Sequence, residues 1–151
     1  MDSSACLTAV TPKTVLPFQM ADLDGLEWVP DDLRVHMRLL LGKTHAWTGR
    51  INGRIVAVAG ITDLHDGVGE AWSYLTDEAL YAPLWLHKAV KGEIDRLAPV
   101  YRRLQASTPQ GFLAGCLWLE RLGFHVETFS RLAGPQGETM ARYVRFPEEG
   151  P

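Results

Sequence analysis

Between His45 and Thr76 the chain reads HAWTGRINGRIVAVAGITDLHDGVGEAWSYLT, and this stretch decides the fold. Asn52-Gly53 lies between two apolar runs, and both residues tolerate the positive φ of a type I′ turn, so His45–Ile51 and Arg54–Asp63 form a β-hairpin. Ile55-Val56-Ala57-Val58-Ala59-Gly60-Ile61 is apolar on both faces, which suits a strand inside a sheet covered on both sides. His65-Asp66-Gly67 turns the chain again, and Glu70–Thr76 supplies a third antiparallel strand.

On the N-terminal side, Asp31 or Asp32 caps a helix whose Leu33, Met37, Leu40 and Leu41 recur on one face, with Gly42 as its stop. A further helix within 16–27 is only weakly signalled. On the C-terminal side, Pro83 opens a helix to Leu97 with Leu86, Val90, Ile94 and Leu97 as its buried stripe. Pro99 ends it, and Tyr101–Ser107 returns as a strand parallel to Glu70–Thr76. A helix over Phe112–Leu122 stops at Gly123. Strands His125–Leu132 and Glu138–Phe146 follow, joined through Gly134-Pro135-Gln136-Gly137. The expectation is one α/β domain over 1–151, with a mixed central sheet flanked by helices and loose ends at 1–12 and 147–151.

Composition narrows the function. The 151 residues are 46% hydrophobic and 22% charged, as in a globular domain with a core of its own. Fifteen Lys and Arg against 18 Asp and Glu leave a formal charge of −3, which argues against direct nucleic-acid binding. Cys6 and Cys116 are too few for a disulfide framework or a zinc cluster. No signal peptide and no membrane-spanning run is read, so the expected location is cytoplasmic.

The element order resembles the GNAT superfamily of acyl-CoA N-acyltransferases. Three features carry the resemblance: the meander leading into a long helix, the ending Leu119-Glu120-Arg121-Leu122-Gly123-Phe124, and the terminal hairpin after it. That ending is similar to the family's aromatic-x-x-Leu-Gly-Phe signature, and the likeness spans roughly residues 30–146. The short divergent GNAT-like proteins of tailed bacteriophages are the most similar group. Members normally carry Arg/Gln-x-x-Gly-x-Gly/Ala before the long helix. This chain has Asp77-Glu78-Ala79-Leu80-Tyr81-Ala82-Pro83-Leu84-Trp85, without glycine and with Pro83 lacking an N–H. The family's acid tyrosine is Leu119 here, and its asparagine is Phe112.

The resemblance implies acetyl-CoA as acyl donor and no metal. Glu70 is the candidate base, since an amine must be neutral to attack a thioester, with a solvated strand glutamate as the plain alternative. Divergence of two central strands after Tyr74 would leave backbone N–H groups near Leu75 and Thr76 for the thioester carbonyl. Asp77, Ala82 and Leu84 belong to the coenzyme turn. Ser107 or Thr108 would meet the thiol or the pantetheine arm, although Ser-Thr-Pro more simply caps a helix. Asp63, His65 and Asp66 read as a solvated turn, with lining an amine site as the sharper reading. Trp72 and Trp85 flank the coenzyme turn and read first as core. Arg102 and Arg103 fit either coenzyme phosphates or an outer strand face.

Two functions fit: transfer of an acetyl group to an amine on a small molecule or protein, and a degenerate GNAT-fold phage protein that binds, as a virion component or on a host bacterial protein. A binder of small molecules without turnover is a third. The terminal hairpin is a candidate for pairing in a homodimer.

Overall fold

In the computed structural model, which describes residues 12–147, seven strands form one sheet. They are β1 (Lys13–Pro17), β2 (Thr44–Ile51), β3 (Arg54–His65), β4 (Val68–Leu75), β5 (Arg103–Pro109), β6 (His125–Ser130) and β7 (Met140–Arg145). The spatial order is β1-β2-β3-β4-β5-β7-β6. Every neighbouring pair is antiparallel except β4 with β5, which the helical crossover makes parallel.

Local chemistry places most of these elements where the sequence puts them. Asn52 (φ 54°) and Gly53 (φ 78°) make the left-handed turn between β2 and β3. Helix α1 (Asp31–Leu40) carries both aspartates in its first turn, where the helix dipole favours them. Helix α2 (Asp77–Leu80) and helix α3 (Pro83–Leu97) follow β4, and α3 buries Leu86, Val90, Ile94 and Leu97 as expected. Helix α4 (Leu113–Arg121) ends at Gly123, whose φ is 95°. Leu122 and Phe124 on either side are buried, so the Leu-Gly-Phe ending turns two apolar side chains inward around a residue that needs no Cβ.

Several expectations are corrected. Lys13–Pro17 is an edge strand on β2, and the weak helix of 16–27 is a 3-10 turn over Met20–Gly25. Tyr101 precedes β5, which instead runs on to Pro109, so Ser107 and Thr108 are strand residues. They do not cap α4, whose N-cap is Phe112 without a side-chain bond. On the outer face of α3, Lys88, Lys91, Glu93 and Asp95 read from the sequence as mostly solvated, but Asp95 pairs with Lys91 and Arg145. Cys6, most of the expected loose ends, and the side chains of Leu40 and Leu41 lie outside the described residues.

The sheet separates two cores. On one face, α3 and α4 pack over Ala57, Ile61, Leu104, Ala106 and Tyr143. On the other, α1 and the segment before it cover Val58 with Leu23, Leu26, Val29 and Met37. Arg145, only 4% exposed, ties the first layer together: Nη1 donates to Leu122 O at 2.9 Å and lies 2.8 Å from Asp95 Oδ1 on α3.

Candidate functional site

The β4–β5 ladder is short. Val68 pairs with Arg103, Gly69 with Leu104 and Glu70 with Gln105, and there it ends. Both strands continue, held only by their outer neighbours: Ala71–Leu75 against β3, and Ala106–Pro109 against β7. The sheet therefore forks above Glu70, four residues earlier than the expected divergence after Tyr74.

The fork exposes backbone. Thr76 N–H is bound to Val56 O on β3 at 2.9 Å. Strand alternation then turns the N–H groups of Leu75 and Ser73 the opposite way, into the fork. Of the two residues expected to offer a donor, Leu75 has its N–H on the open side, whereas Thr76 is committed. The Thr76 hydroxyl is committed too, donating to Val56 O (2.8 Å) and accepting from Ala79 N (3.3 Å) as the cap of α2.

The glycine-free stretch after β4 closes on itself. Leu80 N bonds Thr76 O, Tyr81 N bonds Asp77 O, and Ala82 N bonds Ala79 O. These N–H groups are thus satisfied within the turn that starts at Asp77. Ala82 is the N-cap of α3, Pro83 has no N–H, and the first bond back is Leu86 N to Ala82 O. The N–H groups of Leu84 and Trp85 are therefore the first-turn donors of α3. Glu78 is ion-paired with Arg54 at 2.8 Å, which offsets its negative charge beside this helix start.

The side chains at the fork fall on two faces. Glu70, Trp72 and Tyr74 alternate onto the α1 face. Glu70 Oε1 is 3.4 Å from Gln105 Nε2, its partner across the last rung. Gln105 Oε1 in turn accepts from Arg103 Nε at 3.0 Å, and Arg103 holds Glu127 through two further bonds of 2.7 and 2.5 Å. Arg103 is thus occupied at the β5–β6 side, and Arg102 donates to Asp66 O. Beyond Gln105 on β5, Ser107 is exposed, whereas Thr108 is buried where α4 crosses at Gly115.

Beside Glu70 the α1 face holds a cavity of about 190 Å³. Its walls include Phe18, Leu33, Met37 and Trp72, with His36 and Tyr74 also lining it. Burial, and after it the negative charge of Asp32, raises the Tyr74 pKa, so its hydroxyl remains a proton donor at neutral pH. The indole Nε1 of Trp72 donates to Thr62 Oγ1 at 2.9 Å, and its ring stands 5.7 Å from that of Tyr74. Trp85 lies on the opposite face against Gly49 and Ala57, and Tyr81 is 87% exposed, so neither residue fills the fork.

The remaining candidates lie elsewhere. Asp63, His65 and Asp66 line a separate open cavity at the far end of β4, where Asp63 accepts the Tyr101 hydroxyl at 2.5 Å. Among the described residues no cluster of three or more His, Cys, Asp or Glu is arranged to hold a metal ion, and no helix is long and apolar enough to cross a membrane. Tyr143 on β7 has its pKa pushed up to about 12 by burial and by Cys116 of α4. Gln105, Tyr74 and the α1 wall of the cavity escape a reading of the sequence alone. Only the Glu70-x-Trp72-x-Tyr74 alternation hints that Tyr74 shares a face with Glu70 and Trp72.

The backbone of this chain superposes on those of several solved structures. The RimL ribosomal L7/L12 alpha-N-protein acetyltransferase in complex with coenzyme A superposes with a TM-score of 0.73, covering 91% of this chain and 95% of that one at 12% identity. The ribosomal-protein-S18-alanine N-acetyltransferase from Escherichia coli matches with a TM-score of 0.72 over 89% of this chain and 94% of that one, at 16% identity.

The fold is that of the GNAT acetyltransferases.

A GNAT-family acetyltransferase from Streptococcus pneumoniae gives 0.70 over 89% of this chain and 99% of that one, at 11% identity. No protein-family model and no curated protein matches the chain in sequence. The likeness is one of backbone, and between β4 and α3 this chain carries the helical turn Asp77–Leu80, as its lack of glycine there allows.

Proposed function

We propose that the chain transfers an acetyl group from acetyl-CoA to an amine by direct attack. The observation that carries this reading is the fork itself: a half-buried carboxylate, Glu70, at its base and unpaired strand edges above it. Backbone N–H groups left without a strand partner need an acceptor. An extended, amide-bearing pantetheine arm lying between β4 and β5 supplies one. Ser107 on the open side or Thr108 on the α4 side stands along its path.

In this mechanism the acceptor amine enters from the α1 face and gives a proton to Glu70. The neutral nitrogen attacks the thioester carbon, and Leu75 N–H donates to the oxygen as negative charge develops there. The C–N bond forms, the C–S bond breaks, and the second proton, which the nitrogen sheds on becoming an amide, passes through water to the departing coenzyme thiolate. Position 119 is leucine, so the reaction is written without a side-chain acid from α4. The donor's phosphates meet the start of α3 at Leu84, beyond the turn of Asp77 to Ala82. With fewer backbone donors than a glycine-rich loop, this site binds the coenzyme weakly.

Calorimetric titration with acetyl-CoA, with desulfo-coenzyme A alongside, tests the donor site. Glu70→Gln should lower the rate of acetyl transfer by about 10²-fold or more while leaving acetyl-CoA affinity unchanged. An unchanged rate removes Glu70 from the mechanism. Absence of binding at millimolar acetyl-CoA removes the transferase reading and leaves a protein-binding role.

A further inference from the structure

The cavity beside Glu70 has a composition that selects among amines. Apolar side chains from four segments enclose it: Phe18, Leu33 and Met37 of α1, Leu64 and Trp72. Among the described residues Glu70 is the one carboxylate in its wall. Its two threonines are already engaged. Thr44 Oγ1 and Thr62 Oγ1 stand 3.1 Å apart in a mutual hydrogen bond, and Thr62 Oγ1 also accepts from the Trp72 indole. Among the described residues, the side-chain polar groups left for a ligand are Glu70, His36 at the exposed side, one hydroxyl proton of the Thr44–Thr62 pair and the Tyr74 hydroxyl, which has no hydrogen-bond partner among them.

We infer that the acceptor is a primary monoamine carried on a single apolar or aromatic ring, seated in this cavity with its nitrogen at Glu70. The inference rests on the reading of Glu70 as the base that receives the amine. Size supports it: a cavity of about 150 Å³ accommodates a benzene ring, and this one measures about 190 Å³. Charge supports it as well. The second and third ammonium groups of a polyamine would lie against Phe18, Leu33 and Met37, with no further carboxylate among the described lining residues and only the charge of Asp32, felt at Tyr74, beyond them; a buried charge without a direct partner is strongly unfavourable. A peptide N-terminus would bring several amide groups to a wall whose two threonines have a single hydroxyl proton left between them.

The test is a panel assayed at fixed acetyl-CoA, with release of coenzyme thiol followed by a thiol reagent. The acceptors are 2-phenylethylamine, spermidine and a short peptide with a free alanine N-terminus. The expected result is that kcat/KM for 2-phenylethylamine exceeds the other two by at least about tenfold. Met37→Trp, which fills the cavity from α1, should then raise KM for 2-phenylethylamine while acetyl-CoA affinity stays the same. Preference for spermidine or the peptide overturns the inference but leaves the transferase reading standing. So does an unchanged KM in a Met37→Trp variant shown to be folded by its thermal transition. No acetyl-CoA binding and no thiol release with any acceptor overturns both.

Discussion

Replacing Gly60 with alanine probes how the acceptor side of the fork is built. Gly60 pairs with Trp72 across β3 and β4, and a Cβ there would lie 2.7 Å from His45 O and 2.7 Å from Trp72 Cζ2. Neither neighbour yields easily. His45 O belongs to the backbone of β2, and the indole is held by its bond to Thr62. Overpacking of this kind costs about 1–3 kcal/mol, and the rigidity of both contacts places it in the upper half of that range. Gly60 is not among the residues with positive φ, so alanine also recovers about 0.4–1 kcal/mol of unfolded-state entropy. The net expectation is a loss of about 1–2.6 kcal/mol, or about 2–10 °C in Tm for a chain of this size. Differential scanning calorimetry reads this directly, with Gly92→Ala as control. Gly92 sits within α3 with nothing within 4 Å of an added Cβ, and its replacement should raise Tm. If Gly60→Ala shifts Tm upward like Gly92→Ala, the contacts that seat Trp72 are not as described, and the wall of the proposed acceptor cavity has to be redrawn.

Other outcomes follow from the same structure. Thr62→Val keeps shape but strands both the Trp72 indole N–H and the Thr44 hydroxyl, and should cost about 1–3 kcal/mol in urea unfolding. Asp95 is held below the ordinary carboxylate range; burial works against this, but Lys91 and Arg145 outweigh it. Its contribution is therefore fully present above the unfolded value of about 3.9 and fades as pH falls through the lower folded value. Asp95→Asn should lower the urea midpoint at neutral pH and flatten its acid limb; an acid limb identical to that of the parent would refute the assignment. Gly53→Val forces a β-branched residue to φ 78° and should cost about 1–2 kcal/mol by thermal unfolding.

Elements governed by near neighbours in the chain were readable without coordinates. The Asn52-Gly53 turn follows from the φ angles those residues tolerate, and the α3 stripe from a helical period of four apolar side chains. The Leu122-Gly123-Phe124 ending follows from the left-handed conformation that glycine alone adopts freely. Lys13–Pro17 was missed because it is an edge strand, mostly exposed, formed by pairing with Trp47–Ile51 of β2, a segment remote in the chain. Ser107 and Thr108 looked like a cap because their side chains suit one. Pairing with Arg142 and Ala141 of β7 instead extends the strand past them.

The site divides along the same line. Glu70 as a candidate and the departure of 77–85 from a glycine-rich loop were legible as residue types, whereas the expectation of a backbone donor near Leu75 or Thr76 came from the resemblance. What residue types leave open is where the β4–β5 ladder stops, that Glu70 meets Gln105 at that point, and that Trp72 and Trp85 face opposite sides of the sheet. The α1 wall that turns the Glu70 face into a cavity is equally nonlocal. Dihedral preference and apolar periodicity act over a few residues, so the linear chain states them outright. A fork and a cavity exist only where segments remote in sequence pair on one edge and leave the other unpaired, and it is packing against α1, α3 and β7 that decides which edge remains open.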